Sequence, residues 1–182
     1  MPVPDFQSIT LPVLRLAAQG DLHAREAIEK LADQFGLTTQ QREELLPSGN
    51  QTRFANRVYW AIVYLQKGGL IARRSRGVYS ITDQGRQILA APTERIDLRF
   101  LNQFEGIQEF RRTKSRDDGQ IPDSVTASPG TPEERIETAL DELNEALRAS
   151  LLDRILTMSP TGFEKLIVDL MLGMGYGASG SG

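Results

Sequence analysis

Between Gln51 and Ile81 the hydrophobic period of the chain changes once, from helical to extended, and that change limits the folds open to it. Over residues 51–66, Phe54, Val58, Ala61, Ile62 and Leu65 share one side of a helix, while Arg53, Asn56, Arg57, Trp60, Tyr64 and Lys67 share the other. Gly68-Gly69 ends that pattern. Two short extended segments follow, residues 70–73 (LIAR) and 78–81 (VYSI), joined by Arg74-Ser75-Arg76-Gly77, which suits a hairpin turn.

The flanking residues supply the rest of a small domain. Thr10 is placed to cap a helix over residues 10–18, with Leu11, Leu14 and Ala18 on one face. A second helix fits residues 23–35, where Ala27, Ile28, Leu31 and Phe35 form an apolar stripe that Gly36 stops. A third, residues 38–46, is capped by Thr38 or Thr39 and ends near Pro47; Thr82 caps a last one over residues 83–90. Helices, an amphipathic helix, a basic hairpin and a closing helix make up the layout of a winged helix-turn-helix, in which the exposed helix enters the major groove and the hairpin touches the flanking backbone.

Charge distribution points the same way. The window Gln51 to Arg86 holds Arg53, Arg57, Lys67, Arg73, Arg74, Arg76 and Arg86 against the single acid Asp83, a net +6 in a chain of net −3. One positive element on an acidic body is the footprint of a face that meets a polyanion. Arg53, Asn56 and Arg57 suit base readout, since Arg pairs with guanine and Asn with adenine. Arg73, Arg74 and Arg76 suit phosphates, which position without specifying, and Lys67 joins the same DNA-binding set. Taken singly, each arginine reads as a solvated surface charge; the charge contrast and the element order together favour nucleic acid. Trp60 and Tyr64 read as core or interface residues, and His23 as a surface or first-turn residue.

Other chemistries are largely excluded. The chain has no cysteine, so disulfides, thiolate zinc sites and cysteine nucleophiles are absent. With His23 its one histidine, a Ser-His-Asp triad or a multi-histidine metal site is nearly out of reach. No apolar run approaches the ~20 residues of a membrane span, and the N-terminus lacks a basic segment followed by a hydrophobic one, so the expected location is the cytoplasm.

Downstream, Ile96, Phe100, Phe104, Ile107 and Phe110 are spaced to dock a further helix or arm onto the first domain. Residues 113–131 are polar, contain proline and glycine, and lack periodicity, as a flexible linker does. Thr131-Pro132-Glu133-Glu134 then forms a capping box, and Ile136, Leu140, Leu143 and Leu147 give the helix it opens an apolar seam expected to be buried. Ser159-Pro160 starts another helix, with Phe163, Leu166, Ile167, Leu170 and Met171 on one side and Glu164, Lys165 and Asp169 elsewhere. The division expected is a DNA-binding domain over 1–92, an arm and linker over 93–130, and a connecting helix with the start of a second domain over 131–182.

Two of these stretches resemble one family. GLIARRSRGVYSITDQGRQIL is similar to the amino-terminal domain of Mrr-type, modification-dependent (type IV) restriction endonucleases, and SPTGFEKLIVDLMLGMGY to the opening helix of that family's catalytic domain. The resemblance implies cleavage of methylated DNA by an α/β nuclease fold of the PD-(D/E)xK type using Mg²⁺, held by an aspartate and a Glu/Gln-x-Lys pair. The chain departs from that pattern after Tyr176, where neither element is present, so no cofactor is expected for this chain itself. Glu164 matches the acidic residue of the first catalytic helix and cannot build a site alone; as a solvated helix glutamate it needs no role.

The expectation is therefore a mainly α chain with a small β-hairpin: a winged helix-turn-helix domain, a linker, and the start of a nuclease domain whose core is missing. It binds duplex DNA, for which the resemblance implies methylated bases, without cutting it, and can pair as a homodimer through the fourth helix or the 131–152 helix. A winged-helix transcriptional regulator with a helical dimerisation arm, and a protein-interaction module, are the competing readings.

Overall fold

The computed structural model describes residues 2–115 and 130–176. Most of the linker expected over 113–131 lies outside the described residues. By contacts the chain divides into two compact units, Met1–Arg135 and Ile136–Gly182.

The first unit is mostly helical with one small antiparallel sheet. Its order is α1 (Phe6–Ala18), β1 (Leu22–His23), α2 (Ala24–Gln34), α3 (Thr39–Glu43), α4 (Arg53–Lys67), β2 (Ile71–Ser75), β3 (Val78–Ile81), α5 (Asp83–Ala90), α6 (Leu98–Leu101) and α7 (Glu105–Ser115). The sheet has three strands in the order β1-β3-β2, so the expected hairpin gains a partner on its far side. Leu22 pairs with Tyr79 and His23 with Val78. The helical reading of residue 23 fails because these two residues close a sheet edge, a long-range pairing that no local period reports.

Helix α1 begins a turn earlier than its sequence suggests. Asp5 is the cap, its carboxylate accepting from the backbone of Gln7 (3.0 Å) and Ser8 (3.1 Å). Thr10, read as the cap, is buried and donates its hydroxyl to the Phe6 carbonyl (2.9 Å). The earlier start carries Phe6 and Ile9 into the core, and the helix tolerates Pro12 within it. Helix α3 stops at Glu43, because Leu45 bridges to Thr52 instead of continuing the helix. Thr38 forms the expected cap, with Gln41 returning the bond to its backbone N–H at 2.9 Å. Strand β2 runs to Ser75, beyond the expected end at Arg73, and its register shifts between Arg73 and Ser75.

Helix α4 is the spine. Thr52 caps it, and Phe54, Val58, Ala61, Ile62 and Leu65 are buried on the expected face against α1 and α2. Phe54, Val58, Ile62 and Leu65, taken fully from water, each contribute about 1.5–3 kcal/mol before chain entropy opposes it, and Ala61 less. The same core extends to Ile96, Leu101 and Ile107, so α6 and α7 close over the C-terminal end of α4. The fit there is tight: a methyl group on Gly106 would collide with the Lys67 carbonyl, and one on Gly85 with that of Leu70.

Helix α8 (Pro132–Leu156) starts in the first unit and runs into the second, which also holds α9 (Pro160–Gly173). The α8 seam of Ile136, Leu140, Leu143 and Leu147, expected to be buried, is exposed, Ile136 at 69%. Apolar spacing identifies a face but not what covers it. In α9, capped by Ser159 as expected, Phe163, Ile167, Leu170 and Met171 are exposed as well.

Candidate nucleic-acid interface

The β2–β3 hairpin presents Arg73, Arg74 and Arg76 to solvent. Arg73 Nε donates to the Ser75 carbonyl (3.2 Å), which folds its side chain along the strand where the register shifts. Arg74 lies 3.7 Å from Asp21, with both side chains largely in water. Such a pair is worth little, about 0–1 kcal/mol, and leaves the guanidinium free to exchange partners. The backbone N–H of Ala24 donates to the Gly77 carbonyl (3.0 Å), which ties the start of α2 to the turn. His23, which pairs with Val78, and Arg25, which follows Ala24 in α2, are both exposed.

Lys67, at the end of α4, is exposed and sits 5.1 Å from the centroid of the Phe110 ring. The polar face of α4 has a different environment from the one its sequence suggests. Asn56 is 3% exposed; its amide donates to Gln51 Oε1 (3.4 Å) and its own Oδ1 has no partner. Arg53 Nε donates to Glu44 (2.6 Å) and its Nη1 to Glu134 Oε1 (3.0 Å). Arg57 Nε and Nη2 meet the same Glu134 oxygen at 2.9 and 2.8 Å, and its Nη1 donates to the carbonyls of Val3 (2.6 Å) and Pro4 (2.9 Å). Trp60 Nε1 donates to Glu133 Oε2 (2.6 Å), and Tyr64 stacks on Phe6 with ring centroids 5.5 Å apart.

The first turn of α8 thus lies on the face of α4 that carries Arg53, Arg57 and Trp60. Its capping box forms as its sequence predicts: the Thr131 N–H donates to Glu134 Oε2 (2.9 Å) and the Glu134 N–H to the Thr131 hydroxyl (3.3 Å). Glu134 therefore caps its own helix with one oxygen and binds two arginines with the other. Burial pushes its carboxyl up, but the Thr131 N–H and the guanidinium groups of Arg57 and Arg53 outweigh burial and hold it below the ordinary carboxylate range. Burial works against the Arg53 charge as well, and Glu44 and Glu134 overcome it, leaving the guanidinium still more firmly protonated.

Glu164 stands exposed on α9. Among the described residues no group of three or more His, Asp and Glu side chains gathers to hold a metal. One solvated carboxylate does not fit a Mg²⁺ centre of the kind the family resemblance implies, and no hydrolytic step is derived through it. No helix among the described residues is long and apolar enough to cross a membrane.

Residues 6–91 match the family model of the Mrr N-terminal domain. The chain is 31% identical over 186 aligned positions to the type IV methyl-directed restriction enzyme EcoKMrr of Escherichia coli (strain K12), an alignment covering 97% of this chain and 61% of that enzyme. The chain thus spans about 61% of the length of the curated relative it matches. No solved structure matches.

Proposed function

From the premise that this is an Mrr-type chain with an Mrr N-terminal domain over residues 6–91, we propose that it is the DNA-recognition portion of a restriction enzyme of that type. In this reading the first unit is a winged helix whose wing is the β2–β3 hairpin. The strand order β1-β3-β2, with α4 leading straight into β2, supports that assignment. The observation that carries the function is that Arg73, Arg74 and Arg76 all stand exposed on the one hairpin.

Duplex DNA is the partner this cluster fits. Guanidinium groups spread along a protruding hairpin match successive phosphates, and the counterions released supply sequence-independent affinity. Lys67 adds a further phosphate contact. Asn56 belongs to the packing of α4, and Arg53 and Arg57 reach DNA only when their present partner is exchanged. The relative's methyl-directed activity suggests that the target carries methylated bases, and that cleavage with Mg²⁺ belongs to a nuclease domain of PD-(D/E)xK type, of which α9 forms the opening helix. A cytoplasmic location, with access to DNA, goes with this function.

A homodimer through α8 is part of the proposal. Its exposed residues Ile136, Leu140, Leu143 and Leu147 step by four, three and four, the seam by which a helix pairs with a copy of itself.

The test is a gel-shift titration of the whole chain on a methylated and an unmethylated duplex at several salt concentrations. Four phosphate contacts give a slope of log affinity on log salt of about −3.6. A flat dependence would dismiss DNA as the partner.

A further inference from the structure

Three N–H groups of two arginines converge on a single oxygen. Arg53 Nη1, Arg57 Nε and Arg57 Nη2 lie 3.0, 2.9 and 2.8 Å from Glu134 Oε1. An anionic oxygen gathered by two guanidinium groups is how a phosphate oxygen is held. Arg57 is oriented independently of Glu134, because its Nη1 is anchored on the Val3 and Pro4 carbonyls. Arg53 has a second anchor in Glu44, on its Nε.

We propose that Arg53 and Arg57 form a preorganised phosphate cradle, that Glu134 fills it as an intramolecular stand-in, and that duplex phosphate displaces the carboxylate and frees the first turn of α8. This rests on the DNA-binding reading above and adds a coupling to it: engagement of DNA by the first unit changes how the helix leading into residues 136–182 is held.

The exchange is chemically balanced. Removing one partner of a buried ion pair is costly because the other charge is left alone. Here one anion replaces another, so neither arginine is stranded, and Glu134 regains water. Glu134 on the two arginines and Glu133 on Trp60 are contacts by which the departing turn is held. Glu44 remains on Arg53 and sets a limit on how many phosphate oxygens the cradle admits.

The chain contains no cysteine, and Thr131 has no exposed surface, so Thr131→Cys in the full chain gives a thiol that is shielded while the turn is docked. Its rate of alkylation is measured alone and with saturating duplex, and duplex affinity is compared between the parent chain and Glu134→Gln. The expected results are faster alkylation when duplex is bound, and a gain in affinity for Glu134→Gln of about fivefold or more, the low end of coupling between linked sites. A thiol that stays shielded with duplex bound overturns the inference and leaves DNA binding intact, as does Glu134→Gln binding no more tightly. If the parent chain retains no duplex at all, the DNA-binding reading falls with it. Should Glu134→Gln lose its helical circular dichroism, the alkylation measurement decides alone.

Discussion

Arg57 and Glu134 stand 77 residues apart in sequence and 2.8 Å apart in space, and the pair determines which part of the basic surface is free. Their side chains keep only 15% and 8% of their exposure. The most concentrated cationic face of α4 is thereby turned to internal use, and the open charge lies on the β2–β3 hairpin.

Loss of Arg57 is expected to cost stability as well as any DNA contact. Arg57→Ala removes two of the N–H groups on Glu134 Oε1, leaves Arg53 on it, and takes the Arg57 Nη1 donor from the Val3 and Pro4 carbonyls. Breaking a buried pair costs about 3–5 kcal/mol, and with Arg53 still present the lower figure applies. Urea unfolding followed by circular dichroism measures it; an unchanged midpoint would show that the pair carries no such energy.

The hairpin arginines should behave in the opposite way. Arg74→Ala and Arg76→Ala change exposed groups, so stability should stay within about 0.5 kcal/mol. Each should reduce the salt slope of duplex binding by about 0.9 and weaken all sequences alike. Sequence-selective loss would make them base readers instead.

Acid should loosen the start of α8. The Glu134 carboxyl is held below its unfolded range, so its contribution is fully present above an unfolded carboxylate pKa of about 4.3 and is lost as pH falls through the lower folded value. Among the described residues the groups facing it include Arg53 and Arg57, which stay charged, with Glu44 on Arg53 and Glu133 on Trp60 nearby. Trp60, the one tryptophan and a partner of Glu133, reports undocking by its emission. Glu134→Gln should remove the part of that acid transition that belongs to Glu134.

Gly106→Ala tests the closure of α7 over α4. Its methyl group meets the Lys67 carbonyl, which is backbone and cannot turn aside, so a loss of about 1–3 kcal/mol is expected in thermal or urea unfolding. An unchanged stability would mean that α7 is free to shift.

The α8 seam predicts an oligomeric state. If it pairs two copies, Leu143→Asn should shift sedimentation from dimer to monomer, and a parent chain that sediments as a monomer at every concentration excludes the pairing.

Local chemistry determined much of this protein. The apolar face of α4, the Thr52 and Thr82 ends, the Thr131–Glu134 capping box and the hairpin arginines all follow from neighbours within a few residues. Periods and caps are short-range properties, and a chain states them directly. Tertiary structure alone decided that residues 22–23 close a third strand, that Asn56 faces inward, and that Glu134 occupies Arg53 and Arg57. It also left Leu140 and Leu143 open to water, although their spacing suits burial. The reason is physical: a helix period says which side chains share a face, while the partner of that face, whether core, acid or solvent, comes from segments many residues away.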